Sequence, residues 1–324
     1  MAQSRLLACR CGFDVCRDVL DMRYISLCSG IEAVSVAWHP LGYEPVAFSE
    51  VEPFPCAVLA ERWPGVPNVG DITKIDGRSY HGTVDIVVGG TPCQGFSIAG
   101  KRGGLDDERS GLARDFVRIV SECRPRWFVW ENVPGALSTN GGREFGTFIR
   151  AMDECGYHLA WRIVDAQFFG TPQRRRRIFL IGHSGDWRRS ATVLFEREGV
   201  RRDTPQSRQK RPDIVGSLTV SSGTNGADDN AAQAGHLVIT KCLTSHGYRF
   251  DTETENFIPQ AGGIRRLTPV EWERLMGFPD GYTAVTYRGK PAADSPRYRA
   301  LGNSMAVPIM RWLGERIEAV DRRT

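Results

Sequence analysis

The chain has 324 residues, 41% hydrophobic and 25% charged, with a net charge of only +4, so it can bury a sizeable core as one large domain or two unequal ones. No stretch comes near the roughly 18 consecutive apolar residues of a membrane-spanning helix. Nine cysteines, scattered and odd in number, exclude the disulfide framework of a small secreted protein. The first residues carry Cys9, Cys11 and Cys16 among several charges, without the apolar region of a secretory signal, which places the protein in the cytoplasm. Those cysteines lack a fourth ligand for a tetrahedral metal site. Residues 1 to 22 read as a leader, with 1 to 21 an extension from an upstream start, because Met22-Arg23 directly precede the first convincing strand.

In chain order, Tyr24-Ile25-Ser26-Leu27 predicts a strand and Cys28-Ser29-Gly30 the turn after it. Ile31, Val34, Trp38 and Leu41 recur at helical spacing up to Gly42, and Pro45 to Ser49 predicts a second strand stopping at Glu50. Strand, glycine turn, helix, strand and acid form the layout of a nucleotide-binding βαβ unit. Glu50 stands twenty residues beyond Gly30, the offset at which an acid accepts from ribose hydroxyls. Only Gly30 fills the glycine pattern, so a pyrophosphate is poorly served and a nucleoside ligand without phosphates fits better. In Gly70-Asp71-Ile72, Asp71 could receive an adenine amino group or cap a helix, and the residues alone favour the cap.

The apolar run Val84 to Val88 predicts a buried parallel strand ending in Gly89-Gly90-Thr91-Pro92-Cys93-Gln94-Gly95-Phe96-Ser97. Pro92 fixes its own φ and restricts Thr91, so Cys93 leaves the strand end in a set direction, where open α/β sheets hold their ligands. Taken alone, Cys93 reads better as a small apolar loop residue, as most free cysteines do. The charged, glycine-rich stretch from Gly95 to Gly111 has the length of a lid. A helix over Leu112 to Cys123 leads to strand Trp127 to Trp130, which stops at Glu131-Asn132-Val133-Pro134-Gly135. Glu131 thus repeats the placement of Cys93 on a strand end, with a structural ion pair as the alternative.

A helix over Glu144 to Cys155 and a strand over Tyr157 to Val164 precede Gly170-Thr171-Pro172-Gln173-Arg174-Arg175-Arg176-Arg177 and strand Ile178 to Gly182. Alternation puts Arg175 and Arg177 on one face. Further arginines cluster at 188–189, 201–202 and 208–211. Their forks suit phosphates and guanine edges, which favours a polyanion partner. From His183 to about Gly263 apolar periodicity fades and a small, loop-rich region is predicted, with 203–211 and 223–235 disordered. Thr268, Pro269 and Glu271 then mark the N-cap, first position and third position of a helix with Trp272, Leu275 and Met276 on its apolar side. A last helix is predicted from Tyr298 onward, carrying Val307, Met310, Ile317 and Val320.

Several of these segments form an ordered set: Leu27-Cys28-Ser29-Gly30, Glu50, Gly70-Asp71-Ile72, Gly90 to Ser97, Glu131-Asn132-Val133, Gln173 to Arg177, Arg266-Leu267-Thr268-Pro269 through Gly277-Phe278-Pro279, and Gly302-Asn303-Ser304. From about residue 24 to 317 the set resembles the DNA (cytosine-5-)methyltransferases of bacterial or phage type. The resemblance implies an α/β, Rossmann-like methyltransferase domain dependent on S-adenosylmethionine, with a small, loop-rich target recognition domain. The catalytic and cofactor-binding domain would span 23–182, completed by 296–324, with the recognition region and hinge over 183–295. The implied reaction is methyl transfer to C5 of a cytosine flipped out of a specific double-stranded DNA sequence. Such DNA methylation commonly serves restriction-modification.

By resemblance, Cys93, set by Pro92, would attack C6 of the base. Glu131 would hold N3 and the exocyclic amine, Arg177 would bind O2 and Arg175 would help position the nucleotide. For the cofactor, Cys28, Gly30 and Ile31 would line the methionine side, Glu50 and Val51 the ribose, Asp71 and Ile72 the adenine, and Asn303 would return from the C-terminal helix. Glu32 and Ala33 depart from the family by replacing customary glycines, which puts cofactor affinity in question. The implied partner is DNA, with no membrane and a monomer in solution, in a bacterial cell or a phage-infected host. Three rival readings stay open. One is a cytosine methyltransferase for transfer RNA, disfavoured by Thr91-Pro92-Cys93 in place of Pro-Pro-Cys and by the lack of a Cys-Phe-Thr segment. The others are a DNA-binding protein with a silent methyltransferase domain and a dinucleotide oxidoreductase.

Overall fold

The computed structural model describes residues 22–91, 111–195, 214–215, 237–238, 257–260 and 263–322. Six strands form the central sheet: β1 (Arg23–Leu27), β2 (Glu44–Ser49), β3 (Ile86–Gly89), β4 (Trp127–Asn132), β5 (His158–Asp165) and β6 (Arg176–His183). Their order is β2-β1-β3-β4-β6-β5. The first four run parallel, while β6 is antiparallel to both β4 and β5. The order reverses between β1 and β3, which opens a crevice at their carboxyl ends.

The parallel strands read as continuous apolar runs because both faces of the sheet are covered. Tyr24, Ile86, Val88, Trp127 and Val129 face one core layer; their immediate neighbours Ile25, Val87, Phe128 and Trp130 face the other. On the first face pack α1 (Ala33–Trp38), α5 (Trp187–Leu194) and α8 (Val307–Asp321). On the second pack α3 (Leu112–Cys123) and α4 (Arg143–Glu154). The two helix layers and the sheet make a Rossmann-like fold. At Gly182 the strands leave no room for a side chain, since a Cβ there would lie 2.0 Å from the Phe128 ring across the ladder.

The C-terminal helix closes the first layer. Trp38 donates from Nε1 to the Met310 carbonyl at 2.7 Å, and Tyr43 donates to the Gly314 carbonyl at 3.0 Å. Gly314 admits this approach, because a Cβ would sit 2.7 Å from the Trp38 ring. Sequence periodicity treats the last stretch as one helix from Tyr298, whereas the chain forms α7 (Asp294–Asn303) and then α8. Pro308 explains the break: it lacks an amide hydrogen and is accommodated in the first turn of a new helix.

Two other helices escaped the sequence pattern. α2 (Pro53–Arg62) follows Glu50, and α5 lies inside the stretch expected to be loop-rich, packed against β5, β6 and α8. α6 (Pro269–Met276) follows the predicted signals, with Thr268 and Glu271 forming a reciprocal capping box and Gly277 ending the helix at φ 82°. Leu267, Trp272, Met276, Phe278 and Tyr282 join the first core layer. The remaining described strands are short: β7 (Ile214–Val215), β8 (Leu237–Val238), β9 (Phe257–Gln260), β10 (Gly263–Arg266), β11 (Thr286–Tyr287) and β12 (Lys290–Pro291). Residues 1–21 of the expected leader, the segments 203–211 and 223–235 expected to be disordered, and residues 92–110 with Pro92, Cys93 and most of the expected lid lie outside the described residues.

Candidate active site

A cavity of about 860 Å³ occupies the crevice at the carboxyl ends of β1, β3 and β4. That lies within the usual range of ligand sites. Its β1 wall is a turn of unusual backbone: Cys28, Gly30 and Glu32 all have positive φ, at 51°, 57° and 63°. For the two non-glycine residues this left-handed conformation costs roughly 1 kcal/mol each. The turn is held by bonds from the Ser29 amide to the Ser49 carbonyl at 3.0 Å and from its hydroxyl to Ser26 at 2.8 Å.

Glu50, just past β2, is fixed by backbone amides. Oε2 accepts from Gly30 at 2.7 Å, and Oε1 accepts from Val51 and Glu52 at 2.8 Å each. A carboxylate has about four acceptor sites, so capacity remains for further donors from the cavity. Asn68, to which the sequence drew no attention, connects this acid to the next turn. Its Oδ1 accepts from Glu50 at 3.0 Å and from Gly70 at 3.2 Å. A lone asparagine in a turn carries no pattern that would single it out.

Asp71 takes the cap that the residues favoured, accepting from Thr73 at 2.9 Å at the start of a short helix, and faces the cavity as well. The Thr73 amide holds its carboxyl below the usual range. Val51, 63% exposed, and Ile72 supply apolar wall beside these acids. Ile31 stands apart: its side chain is fully buried in the core and is absent from the cavity wall. Its helical spacing, shared with Val34 and Trp38, already marked it as a core position. Cys28 lies at the cavity, where burial, with Glu50 and Asp71 adding to it, pushes the thiol up to about 12. It is therefore held neutral.

Glu131 is brought to the opposite wall by β4. It pairs in register with Phe179 on β6, so Arg177 lies two residues along the same face, and Nε of Arg177 meets Oε1 of Glu131 at 3.2 Å. Burial pushes the Glu131 carboxyl up, against the pull of Arg177 and Arg175. The ion pair and the cavity position coexist. Gly90 brings the backbone close to this carboxylate: a Cβ there would come within 2.9 Å of Oε2 of Glu131. Asn132 donates to the Thr91 carbonyl at 2.9 Å and Trp130 to the Thr91 hydroxyl at 3.1 Å, pinning the end of β3 directly before Pro92-Cys93.

Arg175 also lines the cavity, yet it is only 1% exposed and its guanidinium serves the scaffold. It donates to the carbonyls of Gly302 at 3.1 Å and Ser304 at 2.6 Å, clasping the break between α7 and α8 that presents Asn303 to the same cavity. The expectation that Arg175 positions a nucleotide thus meets a side chain already engaged with backbone. Glu50, Glu52 and Asp71 line the β1–β2 side, and Glu131 with Arg175 and Arg177 the β4–β6 side. Among the described residues no His, Cys, Asp and Glu cluster could hold a metal ion. None of the described helices is long and apolar enough to cross a membrane.

Comparison with known proteins matches one family signature and several methyltransferases of differing name. The signature of the family described as C-5 cytosine-specific DNA methylase matches residues 22–241 and 201–319. The chain is 32% identical over 463 aligned residues to a protein of Escherichia phage P1 named DNA N-6-adenine-methyltransferase, covering 92% of this chain and 61% of that one. It is 30% identical over 325 residues to the type II methyltransferase M.HpaII of Haemophilus parainfluenzae, covering 91% of this chain and 88% of the relative. The crystal structure of the S. pombe Dnmt2 methyltransferase superposes with a TM-score of 0.67 at 19% identity, covering 93% of this chain and 99% of that one, which shows a shared fold.

Proposed function

Because the chain belongs to the C-5 cytosine-specific DNA methylase family, we propose that it methylates C5 of a cytosine flipped out of a specific double-stranded DNA sequence, through a covalent bond from Cys93 to C6. The observation that carries this reading is Glu131, which faces the cavity from β4 beside the end of β3, the strand that leads into Pro92-Cys93.

The cavity fits S-adenosylmethionine. Glu50, oriented by three amides, would accept from the ribose hydroxyls, and Val51 and Ile72 would flank the adenine with Asp71 at its amino group. Cys28, Gly30 and Asn303 would line the methionine side. The cofactor, when bound, supplies the methyl group as an electrophile.

C5 of cytosine is a weak nucleophile, and inside a duplex it is out of reach, so the base must leave the stack at a cost of a few kcal/mol. The thiolate of Cys93 adds to C6, and the electron pair of the C5–C6 double bond makes C5 an enamine-like nucleophile. Glu131, whose burial favours the protonated form, would share its proton with N3 and so prevent negative charge from building up in the ring. Arg177, already oriented by Glu131, would bind O2. After C5 takes the methyl group it loses its proton to a base; the C5–H electron pair re-forms the C5–C6 double bond, the C6–S bond breaks with its pair leaving on sulfur as the Cys93 thiolate, and N3 returns its proton to Glu131. Arg175 would act through the fold, by holding Asn303.

The recognition region expected over 183–295 we place between α5 and Gly263, because α5 and residues 267–285 share the catalytic core. The chain is proposed to act as a monomer. The name of the phage P1 relative supports a second reading, methylation at N6 of adenine. An exocyclic amine attacks a methyl donor directly and would leave Cys93 and Glu131 without work.

One experiment separates the two: nucleoside mass spectrometry, with bisulfite sequencing, on DNA from cells expressing the protein. 5-Methylcytosine in one sequence context is expected; N6-methyladenine alone would reverse the assignment. Replacing Cys93→Ser should abolish methyl transfer while sequence-specific DNA binding persists, and the wild-type protein should be trapped covalently on DNA carrying 5-fluorocytosine. Turnover near wild type in the serine variant would overturn the thiolate step.

A further inference from the structure

Glu32 follows the cofactor turn and has no task in the reading above. It is fully buried and caps α1 from a left-handed backbone, with Oε1 accepting from the Ser35 amide and hydroxyl at 3.0 Å each. Oε2 makes no hydrogen bond of regular geometry. An ionised carboxylate in such a place is costly unless a positive charge compensates it, yet no basic side chain pairs with it among the described residues. The titratable groups facing it are Tyr24 on β1, Tyr282 ahead of β11, and Glu50, none of them cationic. Its chain neighbours Ala33 and Val34 line a recess of about 40 Å³ shared with Cys28, Gly30, Glu131 and Asn303. Glu32 lines neither that recess nor the larger cavity; its carboxylate sits one layer in, against Ser35 and Ser26, and Ser26 lines the recess behind the turn assigned to the methionine side of the cofactor.

The two ligands that must pass through this site differ there by one charge. The methyl donor carries a sulfonium cation, and the product left after transfer is a neutral thioether. We propose that Glu32 is a specificity-determining residue whose buried carboxylate, behind the Cys28–Gly30 turn, favours the sulfonium form of the cofactor over its thioether product. The inference rests on the S-adenosylmethionine reading of the cavity.

Burial pushes the Glu32 carboxyl up to about 7, with Ser26 and Ser35 pulling it back and Glu50 adding to the rise. A sulfonium nearby stabilises the ionised form, so its binding expels a proton at neutral pH, whereas binding of the thioether leaves the proton in place. By reciprocity, the preference for the sulfonium ligand grows as pH rises through the same range. A shift of the Glu32 carboxyl by about one pH unit on binding the sulfonium corresponds to a change in preference on the order of tenfold.

Titration calorimetry on the full chain, with S-adenosylmethionine and S-adenosylhomocysteine at about pH 6, 7 and 8 in two buffers of different ionisation enthalpy, reads both quantities. The wild type is expected to release a fraction of a proton with the first ligand only, and its affinity ratio should climb with pH. E32Q should lose both effects. E32G should lose them too, and glycine adopts the left-handed conformation freely, which guards against a variant that merely misfolds. A wild-type ratio independent of pH, or a ratio and proton release unchanged in both variants, would overturn the proposal. So would loss of both ligands in both variants, which would assign Glu32 to structure alone. Failure of the wild type to bind either ligand would overturn the cofactor reading as well.

Discussion

Glu131 is held between burial, which disfavours its charge, and Arg177, which favours it. A glutamine would keep the shape while losing the transferable proton, and Arg177 would face a neutral partner. For Glu131→Gln the expected result is a kcat lower by about 10²–10³ with DNA affinity retained, the range seen when one preorganised charge-stabilising group is removed. Single-turnover kinetics beside a DNA-binding titration checks it. Glu32 makes a second prediction at this scale. Folding raises its pKa from an ordinary 4.5 to about 7, so the folded state holds the proton more tightly than the unfolded one. Stability from this group is present below pH 4.5 and is lost as pH rises toward 7, by on the order of 3 kcal/mol in full. Urea unfolding at about pH 5 and about pH 8 should show that loss in the wild type and a flatter dependence in Glu32→Gln.

Among the elements, α6 illustrates how much of a helix can be decided locally. Thr268 accepts from the Glu271 amide at 3.3 Å while Glu271 accepts from the Thr268 amide at 2.7 Å, and Arg265 grips the same carboxylate at 2.7 Å. The Arg265 fork holds the Glu271 carboxyl down, at about 2, so its contribution is present above the ordinary carboxylate range and is lost only as pH falls toward 2. Thr268→Ala is expected to cost about 1 kcal/mol, read as a lower thermal midpoint with unchanged S-adenosylhomocysteine affinity. α7 and α8 show the opposite case. Their shared apolar spacing reads as one helix, and the break that turns Asn303 toward the cavity is marked only by Pro308.

Over the whole molecule, Arg175 links parts that are distant in sequence: the segment entering β6, Asp165 at the end of β5, and the α7–α8 break. Lysine carries the charge but not the guanidinium, whose Nη2 donates to both carbonyls. Arg175→Lys is expected to lower the thermal midpoint and weaken S-adenosylhomocysteine binding several-fold, because a buried cation loses hydrogen bonds worth roughly 1.5–3 kcal/mol each and Asn303 loses its clasp. Calorimetry and a melting curve measure both. Sheet topology acts at the same scale, since the reversal of order between β1 and β3 creates the crevice in which Glu50 and Glu131 meet from opposite walls.

The six strands of the central sheet, the placement of Glu50 and Glu131 at strand ends, the capping of α6 and the family resemblance were all legible in the residues, because period-two and helical patterns, glycine turns and ordered motifs are local signals. α5 was hidden, because its neighbourhood of arginine and serine lacks apolar rhythm and the helix is held by β5, β6 and α8 rather than by its own pattern. Asn68 bracing Glu50, Arg175 donating to the carbonyls of Gly302 and Ser304, and Glu32 buried with no cation beside it among the described residues could not be read from the chain either. Each depends on which groups from distant segments share one dry space, and hydrogen-bond partners and desolvation are settled only when the sheet and its two helix layers close.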